Sequence, residues 1–277
     1  MNNTRILTPE KILHVQAAVE QLIKLHQSGA LGGKIMPEDA NPKLDAGSDE
    51  NYLYFTLPMA LNYQRNAYQL WEAAKETYLD EETADVFVPR AVLRMGLDRL
   101  RERLLKHKVA LQSNRHPQIW FQLCETFQYS GGSVKNFFAA REYSVAAIKK
   151  FMTSYKGMFP YLSGAKLMDY WLYVMEQYTD IQFVDRSNIT VFPDIYILQA
   201  SVRLGLIGPE EMDSPDIRET IGELWNQALA GTGRCAVDIR TPLWLWSRNG
   251  FVVEAIGPVW KPPQEGEQLQ FDFGIVP

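Results

Sequence analysis

The sequence is short of the residues that build metal and disulfide sites. Its 277 residues include only two cysteines, Cys124 and Cys235, and four histidines, His14, His26, His107 and His116. Two isolated cysteines make no disulfide framework and fall short of the four thiolates that hold an iron–sulfur cluster. The histidines form no H-x-x-x-H pattern and the cysteines no C-x-x-C pair, which argues against a structural zinc. No metal and no cofactor is expected. Also missing is an apolar run of the roughly 20 residues that a helix needs to span a bilayer. The opening "MNNTRILTPEKILHV" has no uninterrupted apolar segment of the kind a signal peptide carries. A soluble cytoplasmic protein is expected, with no membrane partner. There is no excess of positive charge either. The formal net charge of −5 argues against indiscriminate nucleic-acid binding but leaves room for a locally basic groove.

What is present is ample apolar material, 46% hydrophobic against 22% charged residues, enough for one large domain or two lobes. No period-two strand pattern persists and no repeat stands out, so the fold is expected to be all-α and two-lobed. Thr8-Pro9-Glu10 reads as a helix start, with the helix running to Gln27. A loop rich in Gly, Pro and Asp follows. A long helical region opens near Tyr52, with Pro58 in its first turn or at a kink. Residues 83–112 read as one or two charged helices and 117–128 as another. Ser133 caps a short helix, and 141–156 is helical again. "KGMFPYLSGAK" is a turn, "KLMDYWLYVMEQY" an aromatic helix, and Asp194 opens the next. Two more helices cover "DSPDIRETIGELWNQAL" and "VDIRTPLWLWSRNGF". The last residues, 256–277, read as irregular.

The order "FPYLSGAK", helix, "PDIYILQASVRLGLI" resembles the helix–hairpin–helix DNA glycosylase superfamily. There a Gly-containing hairpin precedes a catalytic or pocket-lining residue, and a later Asp starts a helix ending in R-L-G-L. Asp194 stands at the place of that aspartate, and Arg203-Leu204-Gly205-Leu206 at the helix end. The hairpin is degenerate: the family form is L-P-G-V-G-x-K, and Leu162, Gly164 and Lys166 match once two positions are deleted. Lys166 and Asp194 stand 28 residues apart, a separation closer to the archaeal 8-oxoguanine glycosylase branch. That branch also ends in a helix similar to "VDIRTPLWLWSRNG". "LNYQRNAYQLWEAA" resembles an early helix that carries Gln or Asn at the DNA interface, here Gln64. The likeness covers roughly residues 52–255. It implies one two-lobed unit over 1–277, with 1–50 an N-terminal helix and loop and about 52–255 the glycosylase core. A queuosine-nucleoside glycosylase family shares the same ground plan.

Residue by residue, a plain reading stands beside each functional one. Asp194 is an N-cap in either case. A carboxylate at a helix N-terminus also suits the positive sugar that develops as a base leaves. Lys166 is either a solvated lysine after a turn or an amine nucleophile activated by burial. In the second case it forms a Schiff base and adds strand-cleaving lyase activity. If it points away, water attacks with help from Asp194, and an abasic site results. Backbone amides around Ser163 and Gly164 would hold a DNA phosphate, or simply form an interhelical turn. Gln64 and Arg65 would fill the gap left by a flipped base, or face solvent. Trp171, Trp244 and Trp246 are the candidates to stack on an extruded base, where aromatics otherwise build the core. The basic run Arg90, Arg94, Arg99, Arg101, Arg103, Lys106 and Lys108 borders a phosphate-contacting surface or is a solvated face.

The expected function is therefore a DNA glycosylase that flips and excises a modified base from double-stranded DNA, acting as a monomer. An oxidised purine in repair, or a bulky base of foreign DNA in phage defence, would be its target. Two alternatives remain open: an N-glycosidase acting on a free queuosine-type nucleoside or nucleotide, and a non-catalytic helical nucleic-acid-binding protein.

Overall fold

The structure is a computed structural model that describes residues 6–32, 36–62 and 65–251, the side chains of 218 and 219 excepted. All regular elements among these residues are helical, as expected. No helix among them is long and apolar enough to cross a membrane. Gln64 and the tail 256–277 lie outside the described residues. The chain divides into two compact units: residues 35–188 form one, and residues 1–34 together with 189–277 form the other.

In the second of these, α1 (Pro9–Gln27) begins where Thr8 Oγ1 accepts from the Lys11 amide and Pro9 takes the first helical position. Its stripe Val15, Ala18, Val19, Leu22 and Ile23 is buried. The period is helical, so one face turns inward. The other long helices of this unit are α9 (Ile195–Arg203), α10 (Pro215–Leu229) and α11 (Ala236–Arg248). α1 packs on α10 and α11, and α11 packs on α9. Trp225 of α10 is wholly buried and donates its indole N–H to Ser201 Oγ of α9 at 3.0 Å.

The unit of residues 35–188 is built round α2 (Asp49–Leu61), whose residues from Asn51 to Leu61 are all buried. A helix apolar on every side belongs inside. Around it stand α3 (Ala67–Leu79), α4 (Pro89–Lys106), α5 (Arg115–Tyr129), α6 (Val134–Ala139), α7 (Val145–Ser154) and α8 (Ala165–Tyr178). The long helical region expected from Tyr52 is two helices. α2 ends three residues past Pro58, and Asn66 opens α3 by accepting from the Gln69 amide at 3.2 Å. α4 is bent at Gly96. Ser133 caps α6 as expected, accepting from the Asn136 amide.

α7 starts four residues later than the sequence pattern implies. Glu142 and Tyr143 take left-handed backbone angles, and Ser144 is the cap. Asp185, far along the chain, accepts from the Val145 and Ala146 amides, the Ser144 hydroxyl and the Asn188 amide group. Burial alone would raise the Asp185 carboxyl. The hydrogen bonds outweigh it and hold the group below the usual carboxylate range.

His116 in α5 gives this unit a pH response. It is buried, and its Nδ1 accepts from the Leu111 amide at 3.2 Å. Burial, with the Arg65 and Arg115 cations, pushes its pKa down to about 4. An unfolded chain takes up this proton near pH 6.5, the folded chain only near 4, so acid favours unfolding between those values. Stability is expected to be full above about pH 6.5 and to fall by ~1–3 kcal/mol towards pH 4. Urea denaturation across that range checks it. His116→Gln, which keeps an acceptor for Leu111, should flatten the profile there.

Candidate active site

Asp194 follows a segment in which Ile189, Val191 and Phe192 are buried. Gly222 of α10 permits the close approach of that segment. A Cβ there would stand 3.2 Å from both Thr190 Cβ and the Val191 carbonyl oxygen. Pro193 follows, and the chain turns into α9 with Asp194 as its N-cap, in extended backbone geometry. Its Oδ1 accepts from the Ile197 amide at 2.9 Å. The helix ends where Gly205, at φ 68, lets the Leu206 amide return to the Ser201 carbonyl. The R-L-G-L segment is thus a helix stop.

The other carboxylate oxygen of Asp194 faces Arg240. Arg240 Nη2 lies 3.8 Å from Oδ2, and the arginine side chain is almost wholly buried while that of Asp194 is 21% exposed. The guanidinium lies 4.2 Å above the centre of the Phe192 ring. Burying a cation away from water is costly unless charge and polar groups face it, and Asp194 supplies the charge. Arg240, Trp244 and Arg248 recur every four residues and form one stripe of α11. Two α9 residues, Tyr196 and Gln199, meet α11 through ring and polar contacts. Tyr196 lies edge-on to Trp244 at 5.2 Å and accepts a hydrogen bond at its hydroxyl from Arg248 Nη1 at 2.7 Å. Ser247 Oγ donates to Gln199 Oε1 at 3.0 Å. Sequence reasoning singled out Asp194 and Trp244 but missed Arg240, Phe192, Tyr196 and Arg248. The available signal was Arg240 itself, an arginine set between Ile239 and the apolar run Pro242 to Trp246.

The three tryptophans separate. Trp171 is a correction: it is fully buried in α8, donates its N–H to Thr56 Oγ1 at 3.1 Å, and packs against Phe127, Phe137 and Phe138. It has no open ring face for a base and serves the core. Trp246 is likewise buried, with Phe251 edge-on at 4.7 Å. Trp244 is buried too, but against Tyr196, two residues after Asp194.

Lys166 is the second residue of α8 and is exposed, so the burial that would activate it as a nucleophile is absent. Lys166 and Asp194 belong to different units. The turn before α8 also differs from expectation. The left-handed residue is Tyr161, at φ 63, whereas Gly164 has φ −68 and is the helix N-cap. The amides of Leu162, Ser163 and Gly164 donate to the carbonyls of Pro160, Phe159 and Tyr161. These amides are committed within the turn and are not offered to a phosphate; the first turn of α8, which no side chain caps, is the nearest alternative.

Arg65 is engaged as well. Its Nη1 donates to the Val109 carbonyl at 2.8 Å and its Nη2 to the Lys108 carbonyl at 3.1 Å, so it holds the chain after α4 and is not poised to fill a gap in DNA. Within the basic run, Arg101 pairs with Asp98, Arg103 with Asp85, and Lys106 with Asp80 and Glu82. Arg90, Arg94, Arg99 and Lys108 are exposed. A cleft of about 360 Å³ in the same unit, lined by Asp49, Glu50, Leu53, Phe87, Arg90 and Gln128 among others, includes Arg90 of the basic run but neither Asp194 nor Lys166. Neither a protein-family model nor a curated protein matches the chain.

Proposed function

We propose that the protein is an N-glycosylase that excises a modified base from DNA, with the two-lobed helical plan of the helix–hairpin–helix glycosylases. The observation that carries the reading is the Asp194 carboxylate: one oxygen is fixed by a backbone amide, the other lies 3.8 Å from a buried guanidinium, and the side chain is 21% exposed. An anion so held costs no reorganisation when positive charge develops on a sugar. Water adds to C1′ as the C1′–N bond breaks, the electron pair leaves with the base, and Oδ2 takes the proton from the water. The base must first leave the stack for its C1′ to be reached.

An exposed Lys166 favours water over the amine as nucleophile. Borohydride added during turnover is therefore expected to trap no protein–DNA adduct, and Lys166→Ala should release base at the parent rate. An adduct lost in that variant would restore the lyase route.

The committed turn amides favour a second reading, hydrolysis of a free modified nucleoside or nucleotide, which needs no phosphate grip. Incubation with duplexes carrying different modified bases, and with the corresponding nucleosides, separates the two when released base is detected by mass spectrometry. A DNA enzyme binds with a steep salt dependence, about −0.9 in log–log slope per neutralised phosphate. Release from nucleosides alone, with little salt dependence, would replace the DNA reading with the nucleoside one. Release from neither set would remove both.

A further inference from the structure

The cleft of about 360 Å³ in the unit of residues 35–188 is formed by the first turns of α2, the start of α4, and the end of α5 with the cap of α6. Its volume falls at the low end of the roughly 300–1,000 Å³ typical of small-ligand sites. Part of its lining is apolar. Leu53 and Phe87 are buried there, and Val88, which also lines it, is 45% exposed.

The charged lining is of both signs. Asp49 and Glu50 open α2, and Arg90 is the second residue of α4. All of them are exposed. Glu50 Oε1 accepts from the Tyr78 hydroxyl at 2.7 Å. Among the described residues neither Asp49 nor Arg90 has an ion-pair partner, so opposite charges border one cleft without joining each other. Carboxylates in the first turn of a helix suit its dipole, which accounts for Asp49 and Glu50 but not for an unpaired cation sharing their cleft.

Gln128 adds an independent observation. Its Oε1 is buried and has no hydrogen-bond partner. A buried carbonyl oxygen left unmet is costly, so one in the wall of a cleft calls for a donor from outside the chain. Gln128 is the next-to-last residue of α5, and the C-terminal end of a helix favours positive charge. A cationic N–H group satisfies the oxygen and the helix end together. A simple cation, however, leaves Arg90 unmatched, and a simple anion leaves Asp49, Glu50 and Gln128 unmatched. A molecule carrying both charges matches all of them.

We propose that this cleft binds a zwitterionic α-amino acid with an apolar side chain. Its ammonium meets Gln128 Oε1 and the carboxylates of Asp49 and Glu50, its carboxylate meets Arg90, and its side chain lies against Leu53, Phe87 and Val88. The site belongs to the unit that does not carry Asp194, and it needs no part of the base-excision reading.

Calorimetric titration of the full chain tests this with probes of one shape: L-leucine, isoamylamine, which lacks the carboxylate, and 4-methylpentanoate, which lacks the ammonium. Leucine is expected to bind at least about tenfold more tightly than either, the scale of one charge-assisted hydrogen bond. Gln128→Leu is expected to weaken leucine by about tenfold, and it removes an unmet buried acceptor, so the free protein stays folded. Arg90→Gln is expected to weaken leucine by about tenfold and to leave isoamylamine within about threefold, which erases the preference for leucine. Asp49→Asn should weaken leucine and isoamylamine alike. No saturable binding of any probe by the parent overturns the site. Isoamylamine or 4-methylpentanoate binding as tightly as leucine overturns the zwitterion. Leucine affinity unchanged in Arg90→Gln or Asp49→Asn, exchanges of exposed side chains that spare the fold, overturns the placement. Base release is not read in any of these titrations, so their failure leaves the glycosylase reading untouched.

Discussion

Asp194→Asn protein is expected to fold and to lose base release by at least about 100-fold, the scale of removing one preorganised electrostatic group from an active site. The substitution keeps the shape of the side chain, and its amide oxygen still accepts from the Ile197 amide, so the cap on α9 survives. What disappears is the negative charge 3.8 Å from Arg240 Nη2 and, in the proposed mechanism, the oxygen that takes the proton from water. Thermal denaturation reads the first effect and mass spectrometry of released base the second. Asp194→Ala provides the contrast, since it loses charge and cap together and should cost a further ~1 kcal/mol in stability. Turnover in the Asn variant close to that of the parent would take Asp194 out of the mechanism and leave it a helix cap.

Trp171→Ala should act on a different quantity. A tryptophan that stacks on an extruded base contributes to binding and can be removed from a sound scaffold. Trp171 instead fills the centre of the unit formed by residues 35–188, among Phe127, Phe137 and Phe138. Its N–H meets Thr56 Oγ1, whose own proton goes to the Tyr52 carbonyl at 2.7 Å. Truncation leaves a cavity and an unmet hydroxyl acceptor, a loss of about 3–5 kcal/mol. That is a large share of the ~5–15 kcal/mol that holds a domain folded. Urea unfolding measures it. A variant of parental stability with weakened substrate binding would return Trp171 to the base pocket.

Sequence and structure agree where the deciding interaction is short in range. Thr8 with Pro9, Ser133 and Asp194 act within four residues of themselves, so helix starts at these points were legible from the residues alone, whereas the stop at Gly205 came from the resemblance. α7 shows the boundary of that logic: a helical pattern from 141 loses its first residues because Asp185, about 40 positions away, satisfies the amides at 145 and 146. The same distinction runs through the site. Local rules place Asp194 at the mouth of α9. That its outer oxygen meets a guanidinium from α11 depends on how two helices pack.

By itself, then, the sequence determined the all-α character of the described residues, many of their helix ends, and Asp194 as a capping carboxylate, because backbone amides near a cap are satisfied by residues close in number. Tertiary structure alone decided that α1 packs on α10 and α11, that Trp171 is core, that Lys166 is exposed, and that Arg65 serves the loop carrying Leu111. The physical reason is that burial and ion pairing are properties of what lies across from a residue. Helical periodicity states which side chains share a face but not what covers that face.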